Sequence, residues 1–229
     1  MATYLLCHGG WAGGWQWKEV AGLLRSAGHE VFAPTFTGLG ERVHLANPDH
    51  DMHTYIQDIL MVIKYEDLHE VILVGYSLSG AVITGVAEEA TQDVRHLVYL
   101  DAYVPGDQQS LADLVGAEVM AGLLEEAKKG DGWRIPHFPP DADRRTPQPL
   151  NPVYTPVMVK NPAAAAVPRT FILCTQGAQD IGPLHFPIQQ AAEKAKGDAR
   201  WRYRELPTGH MPMWTMPREL ASYLLELAA

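Results

Sequence analysis

Hydrophobic and polar positions alternate between two kinds of segment along most of the chain. Short runs of β-branched and apolar residues, such as residues 3–7 and 70–74, are typical of strands buried on both faces of a parallel sheet. Segments with apolar positions three and four apart, such as residues 51–65, are typical of amphipathic helices. Strands and helices that follow one another in this way predict a parallel sheet with helices on both faces.

The pattern predicts about six strands in one α/β domain that spans residues 1–229. They are expected over residues 3–7, 30–33, 70–74, 96–101, 170–174 and 200–206, and a last helix over 217–228. The alternation breaks between the fourth and fifth strands, over residues 105–167. This stretch contains one predicted helix, over 111–128, followed by many prolines. An insertion above the active edge of such a sheet is typical of a small lid over a site.

A serine stands where one strand turns sharply into a helix. The segment reads Gly75-Tyr76-Ser77-Leu78-Ser79, close to the pattern G-x-S-x-G of a nucleophile at the tip of a strained turn. Ser79 replaces the last glycine, and Gly80 beside it keeps the contact region small. The hydroxyl of Ser79 falls in the first helical turn, where it is expected to bond backbone groups, so Ser77 is the predicted nucleophile.

A serine nucleophile needs a base to take its proton and a carboxylate to orient that base. Parallel strands present their carboxyl ends at one edge, where sites form. His210 follows the last strand and is the predicted base, with His185 as the rival. Asp180 lies in a long loop after the fifth strand and is the predicted acid. Asp101, directly after the fourth strand, is the alternative acid.

The anionic intermediate of acyl transfer needs hydrogen-bond donors. The backbone N–H of Leu78, at the start of a helix, is one predicted donor. The second is expected from the glycine-rich loop after the first strand, residues 8–15, where Gly10 is preferred over Trp11. Substrate contacts are expected from side chains beside these loops and in the insertion: Trp11, Phe36, Tyr76, Trp133 and Met211.

Charge and composition narrow the class of protein. The formal net charge is −9, with 27 acidic and 18 basic residues, which disfavours nucleic acid or anionic membranes as partners. No apolar run approaches the length of a membrane helix, and a strand begins near Thr3, so a cytoplasmic protein without a signal peptide is expected. The two cysteines, Cys7 and Cys174, are expected to be buried thiols. No metal-ligand or dinucleotide motif is present, so no cofactor is predicted.

These residues resemble the α/β-hydrolase fold. The match extends from the His8–Trp15 loop through Gly38-Leu39-Gly40-Glu41-Arg42, Gly75-Tyr76-Ser77-Leu78 and Leu100-Asp101-Ala102-Tyr103-Val104-Pro105 to Cys174-Thr175 and Gly209-His210-Met211. More narrowly, the chain is similar to the small-esterase branch that contains plant methyl-ester esterases of the salicylate methyl esterase type, hydroxynitrile lyases and bacterial esterases. The resemblance implies Ser77, His210 and Asp180 as triad and Gly10 with Leu78 as oxyanion donors.

The lyases of this branch carry a lysine after the catalytic histidine and a threonine in the first loop, where this chain has Met211 and Gly9. Hydrolysis is therefore preferred over cyanohydrin cleavage. The first hypothesis is a serine esterase that acts on a small carboxylic ester through an acyl-enzyme, as a monomer or homodimer. The second is a carbamate or amide hydrolase with the same triad. The third, from another class, is a ligand-binding protein on a hydrolase scaffold with little turnover.

Overall fold

The structure, a computed structural model, describes residues 1–137 and 144–228. Its main feature is a six-stranded sheet, formed by β1 (Thr3–Cys7), β2 (Glu30–Phe32), β3 (Val71–Tyr76), β4 (Val94–Leu100), β7 (Arg169–Cys174) and β8 (Trp201–Leu206). The strands β5 (Arg134–Ile135) and β6 (Gln148–Pro149) form a small antiparallel hairpin apart from it. The order in the large sheet is β2-β1-β3-β4-β7-β8, and every pair is parallel.

Helices cover both faces of the large sheet, as the alternation predicts. The α-helices are α1 (Lys18–Ser26), α2 (Met52–Tyr65), α3 (Ser79–Glu89), α4 (Leu111–Val115), α5 (Ala117–Lys128), α6 (Asn151–Tyr154), α7 (Pro162–Ala166), α8 (Gly177–Ile181), α9 (Phe186–Gly197), α10 (Pro212–Thr215) and α11 (Pro217–Leu225). Short 3₁₀ turns lie at Gly14–Trp17, Gly40–Leu45, Thr91–Asp93, Gly182–His185 and Glu226–Ala228. None of these described helices is long and apolar enough to cross a membrane.

Successive side chains of the strands pack alternately into two hydrophobic cores. In β1, Leu5 and Cys7 belong to the core that contains residues of α2, α3 and α9. Tyr4 and Leu6 belong to the core that contains residues of α1 and α11. Successive side chains of a strand point to opposite faces, so a strand covered on both faces must be apolar at nearly every position. Cys7 and Cys174 are buried thiols that form no disulfide.

The insertion between β4 and β7 differs from its prediction in one respect. The single helix expected over residues 111–128 is divided into α4 and α5 by Gly116, whose φ is +89°. A left-handed residue ends a right-handed helix, and glycine adopts this conformation without steric cost. The insertion also contributes β5, β6, α6 and α7, and residues 138–143 within it lie outside the described part of the chain.

The sharp turn between β3 and α3 depends on two glycines. A Cβ atom on Gly75 would lie 2.5 Å from the carbonyl oxygen of Ser79, and one on Gly80 would overlap the carbonyl oxygen of Tyr103. Both contacts are with backbone, which cannot swing away. Position 79 accepts a side chain, whereas position 80 does not, so the absence of glycine at position 79 does not disturb the turn.

We expect Gly80→Ala to lower the free energy of unfolding by about 1–3 kcal/mol, because the new methyl group must displace the backbone of Tyr103. The matched control is Gly22→Ala in the exposed part of α1, where a Cβ meets nothing within 4 Å. There the higher helix propensity of alanine is expected to add about 0.5–1 kcal/mol. Urea unfolding of the two variants measures both changes, and equal stabilisation in both would contradict the close packing at Gly80.

Candidate active site

Ser77 lies at the tip of the turn between β3 and α3. Its φ is +56°, a left-handed conformation that L residues rarely adopt. The backbone around it holds this shape: the N–H of Ser77 donates to the carbonyl of Leu100, and its own carbonyl accepts the N–H groups of Gly80 and Tyr103. The strain places the hydroxyl beyond the strand end, as the sequence pattern predicts.

His210 follows β8 and reaches the serine. Its Nε2 lies 3.0 Å from the Ser77 hydroxyl oxygen. The imidazole is buried and packs against the Tyr76 ring, with 4.8 Å between the ring centroids. The predicted nucleophile and the predicted base are therefore brought within hydrogen-bond distance by two strands that are far apart in sequence.

The carboxylate that the structure places against the His210 ring is not the predicted one. The carboxylate that contacts the His210 ring belongs to Asp101, whose Oδ2 lies 2.6 Å from Nδ1. Asp180 accepts the backbone N–H of His210 instead, with its Oδ2 at 2.6 Å. Asp180 thus fixes the main chain of His210, whereas Asp101 fixes the imidazole.

The backbone at the end of β4 explains why Asp101, and not Asp180, contacts the His210 ring. β4 lies between β3 and β7 in the sheet, so a side chain at its carboxyl end is next to the serine turn. Asp101 has a φ of +42°, and its N–H donates to the carbonyl of Ile172. The glycine at position 177 leaves room for the carboxylate in this position, because a Cβ there would lie 2.8 Å from Asp101 Oδ2.

The Asp101 carboxylate is fully buried and accepts hydrogen bonds from three groups. Besides His210, it accepts the N–H of Cys174 at 3.0 Å, and both its oxygens lie 3.0 Å from Nε2 of His185. Burial raises the pKa of this carboxyl, but the hydrogen bonds from His185 and His210 outweigh burial and hold the pKa below its usual value. Asp101 is therefore ionised at neutral pH and can stabilise a positive charge on His210.

The glycine-rich loop after β1 is held by two side chains. His8 donates through Nδ1 to the carbonyl of Gly9 at 2.7 Å and accepts the N–H of Phe36 at Nε2, at 3.0 Å. Burial lowers the pKa of His8 to about 4, so the ring is neutral at physiological pH. The hydroxyl of Ser79 donates to the carbonyl of His8. These bonds place His8 in a structural role beside the site.

Gly10 and Leu78 border the same cavity as Ser77. A Cβ built on Gly10 would lie 3.7 Å from Cδ1 of Leu78, so the two residues are near neighbours across the strand ends. Leu78 directly precedes α3, and N–H groups at a helix start are unpaired within the helix. The arrangement agrees with the prediction of two backbone donors, and their role stays a prediction.

The cavity that contains Ser77 and His210 has a volume of about 330 Å³. Most of its wall is apolar, and the insertion supplies much of it. The contributing side chains are Leu111, Val115, Met120, Leu123, Ile135 and Val153. The polar residues that line the cavity include Gln148, Arg145 and Asp180. A cavity of this size and polarity suits a small, mostly apolar ligand.

Of the predicted substrate-contact residues, Trp11, Tyr76 and Met211 border the cavity. Phe36 and Trp133 are not among the residues that line it. Phe36 is fully buried beneath the loop, stacked on Tyr55 with 4.7 Å between ring centroids. Trp133 packs against the guanidinium of its neighbour. In the sequence alone, an aromatic residue with either kind of packing looks the same as one that lines a pocket.

Trp11 also joins the insertion to the loop after β1, a role that the sequence did not indicate. Its indole N–H donates to the carbonyl of Ile135 at 3.1 Å, and its own carbonyl accepts the N–H of Thr146 at 2.9 Å. Gln148, buried beside it, donates to the hydroxyl of Tyr55 at 3.2 Å. The hairpin of β5 and β6 is thereby fixed over the predicted oxyanion donors.

Asp101, His185 and His210 form the one cluster with metal-ligand spacing among the residues that the structure describes. The hydrogen bonds between the two imidazoles and the carboxylate account for this proximity. His210 also faces the serine hydroxyl. The cluster is therefore interpreted as a hydrogen-bonded group of two histidines and one aspartate.

Comparison with known proteins adds independent findings. The sequence pattern described as "Alpha/beta hydrolase family" matches residues 4–223. A protein of Nocardioides sp. (strain SG-4G), named carbendazim hydrolyzing esterase, is 36% identical over 247 residues, which cover 99% of this chain and 100% of the relative.

Two solved structures have the same fold at lower identity. An extracellular alpha/beta-hydrolase from a Paenibacillus species superimposes with a TM-score of 0.81 at 24% identity and covers 99% of both chains. A pyrethroid hydrolase from Sphingobium faniae JZ-2 gives a TM-score of 0.76 at 22% identity, over 99% of this chain and 97% of that one. Both matches extend over the insertion as well as the sheet.

Proposed function

Since the chain belongs to the alpha/beta hydrolase family and is an esterase-like hydrolase, we propose that it is a serine hydrolase that cleaves small carboxylic esters through an acyl-enzyme on Ser77. The observation that carries this proposal is the continuous hydrogen-bonded series from the Ser77 hydroxyl through His210 to Asp101. Ser77 and His210 border a mostly apolar cavity. The three residues supply the nucleophile, the base and the carboxylate that acyl transfer requires.

In the first half of the reaction, the hydroxyl oxygen of Ser77 attacks the ester carbonyl while Nε2 of His210 takes the hydroxyl proton. Asp101 stabilises the resulting imidazolium through Nδ1. The N–H groups of Gly10 and Leu78 donate hydrogen bonds to the carbonyl oxygen and stabilise the negative charge that develops on it. When the tetrahedral intermediate collapses, His210 returns the proton to the departing alkoxide, and the acyl group stays on Ser77.

In the second half, water replaces the alcohol. His210 removes a proton from the water molecule as the hydroxide adds to the acyl carbonyl. When the intermediate collapses, His210 returns this proton to the departing Ser77 oxygen, and the acid is released. Asp180 keeps the His210 main chain in place through its hydrogen bond to the backbone N–H.

A second candidate activity is the hydrolysis of a carbamate with the same triad. It is favoured by the relative named carbendazim hydrolyzing esterase, because carbendazim is a methyl carbamate whose nitrogen carries the aromatic group. The chemistry changes only in the carbonyl, which carries a nitrogen and an oxygen substituent and is less electrophilic. Cleavage of the carbon–oxygen bond would release the alcohol in the first half of the reaction, as for an ester.

A panel of p-nitrophenyl esters with short, long and aromatic acyl groups, compared with aryl methyl carbamates, tests the proposal. We expect the highest kcat/KM for a short or aromatic acyl group, and a decrease of at least about tenfold for an octanoyl chain, which a cavity of about 330 Å³ encloses poorly. Faster turnover of the carbamates would instead establish the second activity.

The third hypothesis, a ligand-binding protein with little turnover, makes a different prediction in the same assay. It predicts one equivalent of p-nitrophenol in a burst, without further release. Steady release of p-nitrophenol, faster than by the Ser77→Ala protein, would exclude that hypothesis. If none of the substrates is hydrolysed faster than by Ser77→Ala, the proposed function is contradicted.

A further inference from the structure

His185 is a second imidazole that contacts the acid of the proposed triad. It lies at the end of the 3₁₀ turn Gly182–His185, directly before α9, and is fully buried. Its Nε2 is 3.0 Å from each oxygen of the Asp101 carboxylate. The ring centroids of His185 and His210 are 6.2 Å apart, and their planes are nearly perpendicular, at 83°. One carboxylate is therefore shared by two imidazoles.

The two imidazoles differ at their other nitrogen. His210 presents Nε2 to the Ser77 hydroxyl, from which it can take a proton. Nδ1 of His185 is buried and has no hydrogen-bond partner within the described parts of the chain. Because a carboxylate only accepts, the proton of neutral His185 must be on Nε2. A second proton on Nδ1 would create a buried N–H without an acceptor, which is unfavourable.

We propose that His185 is a positioning residue of the hydrolysis: as a neutral donor, it holds the Asp101 carboxylate in the orientation that His210 requires. This inference rests on the proposed function. With His185 and the Cys174 N–H in place, the carboxylate is held at both oxygens while it accepts from His210. The positive charge that arises during the reaction is thereby stabilised on His210 alone.

Gly177 provides the space that this arrangement needs. A Cβ at position 177 would overlap Nε2 of His185 and lie 2.8 Å from Oδ2 of Asp101. Any side chain here would enter the contact between the imidazole and the carboxylate. Gly177→Ala therefore offers a way to displace His185 without removing its imidazole.

The titratable groups around Asp101 determine how the inference appears in a pH profile. Burial raises the pKa of Tyr76, Tyr103 and Cys174, so these groups are neutral at acidic and neutral pH. The other groups near this region are the two histidines themselves, Asp180, which accepts the His210 main-chain N–H, and Arg145, which lies near Tyr76. Tyr203 also interacts with Asp101, and burial raises the pKa of its phenol, so it is neutral in the same range.

The sign of the pH effect follows from the hydrogen bond that is lost. A donor to the ionised carboxylate lowers its pKa, and His185 is such a donor to Asp101. Without His185, the Asp101 carboxylate has a higher affinity for a proton. It therefore stabilises the protonated form of the His210–Asp101 pair more strongly. On acidification, the variant then loses activity at a pH that is about 0.5–1 unit higher than for the original chain.

The test compares His185→Leu, which has no donor, with His185→Gln, whose side-chain amide can donate to the same carboxylate. We expect kcat of His185→Leu on p-nitrophenyl butyrate to fall about 10–100-fold with KM within about twofold, and the acid limb of kcat/KM to move up. His185→Gln should recover most of kcat and of the original pH profile. Asp180→Asn leaves His185 in place and removes a negative charge beside His210, so it should not move the acid limb up.

Equal impairment of the Leu and Gln variants, or a His185→Leu protein with the kcat and pH profile of the original chain, would overturn the inference. If His185→Leu fails to fold, as judged by circular dichroism, Gly177→Ala replaces it and is expected to show the same upward movement of the acid limb. An unchanged profile in a folded Gly177→Ala protein would count against the inference.

Labelling of Ser77 by a fluorophosphonate separates this inference from the proposed function. If the original chain is not labelled at Ser77, the proposed function fails. If Ser77 is labelled at the same rate in the original chain and in His185→Leu, the proposed function stands and the role of His185 is refuted. We expect labelling of both proteins, with a slower rate in His185→Leu.

Discussion

Asp101→Asn should lower kcat about 10³–10⁴-fold, whereas Asp180→Asn should lower it less than about tenfold. The amide introduced at position 101 would present a donor to the imidazole, and His210 would then accept at Nδ1 and carry its proton on Nε2. In that tautomer the nitrogen that faces Ser77 cannot take the hydroxyl proton. The measurement is kcat for a p-nitrophenyl ester near neutral pH.

The Asp180→Asn protein is the matched control, because it alters a second carboxylate beside His210 by the same chemical change. Its amide oxygen can still accept the backbone N–H of His210, which Asp180 accepts at 2.6 Å in this structure. Circular dichroism and the midpoint of thermal unfolding establish that both variants are folded. A larger loss of kcat in Asp180→Asn than in Asp101→Asn would restore Asp180 as the acid.

Ser77→Ala should reduce kcat about 10⁶-fold, to the rate that oxyanion stabilisation and binding alone supply. The variant should fold normally, because the hydroxyl of Ser77 bonds to His210 and alanine adopts the same left-handed backbone at a similar cost. Mass spectrometry should detect fluorophosphonate adducts on the original chain and none on this variant.

Two further substitutions make this result specific. Ser79→Ala removes the neighbouring hydroxyl, which donates to the carbonyl of His8, and should keep the adduct on Ser77. Ser77→Gly relieves the φ of +56° and should raise the free energy of unfolding by about 1 kcal/mol relative to Ser77→Ala. Adduct formation in Ser77→Ala, with full esterase activity, would exclude the whole mechanism.

The sheet and the pair Ser77–His210 could be predicted from the sequence because both depend on local patterns. Buried parallel strands are continuous apolar runs, and the residues that follow them meet at one edge of the sheet. Gly75 and Gly80 also predict the sharp turn, because a strand and a helix that come this close leave no space for side chains at these positions. The observed parallel sheet of six strands agrees with this prediction.

The carboxylate that contacts the His210 ring could not be predicted in the same way. Asp101 and Asp180 both follow strands, and the choice between them depends on where each side chain points. The left-handed backbone of Asp101 turns its carboxylate toward His210, and no residue pattern indicates such a backbone for an aspartate. The division of the insertion helix at Gly116 and the burial of Phe36 under the loop likewise depend on tertiary packing.

With Asp101 at the end of β4, the carboxylate that contacts the His210 ring lies outside the loop after β7. The segment from Gly177 to His185 forms part of the cavity wall through Gln179, Ile181 and Leu184. The hydrogen bonds that hold Asp101 and His210 come from two other residues of the same segment, His185 and Asp180, and from the N–H of Cys174. New acyl or alcohol groups can therefore be accommodated by changing the three side chains of the cavity wall while the proton-transfer series stays intact. For directed evolution, this wall is the segment in which substrate range can diverge at small cost to turnover.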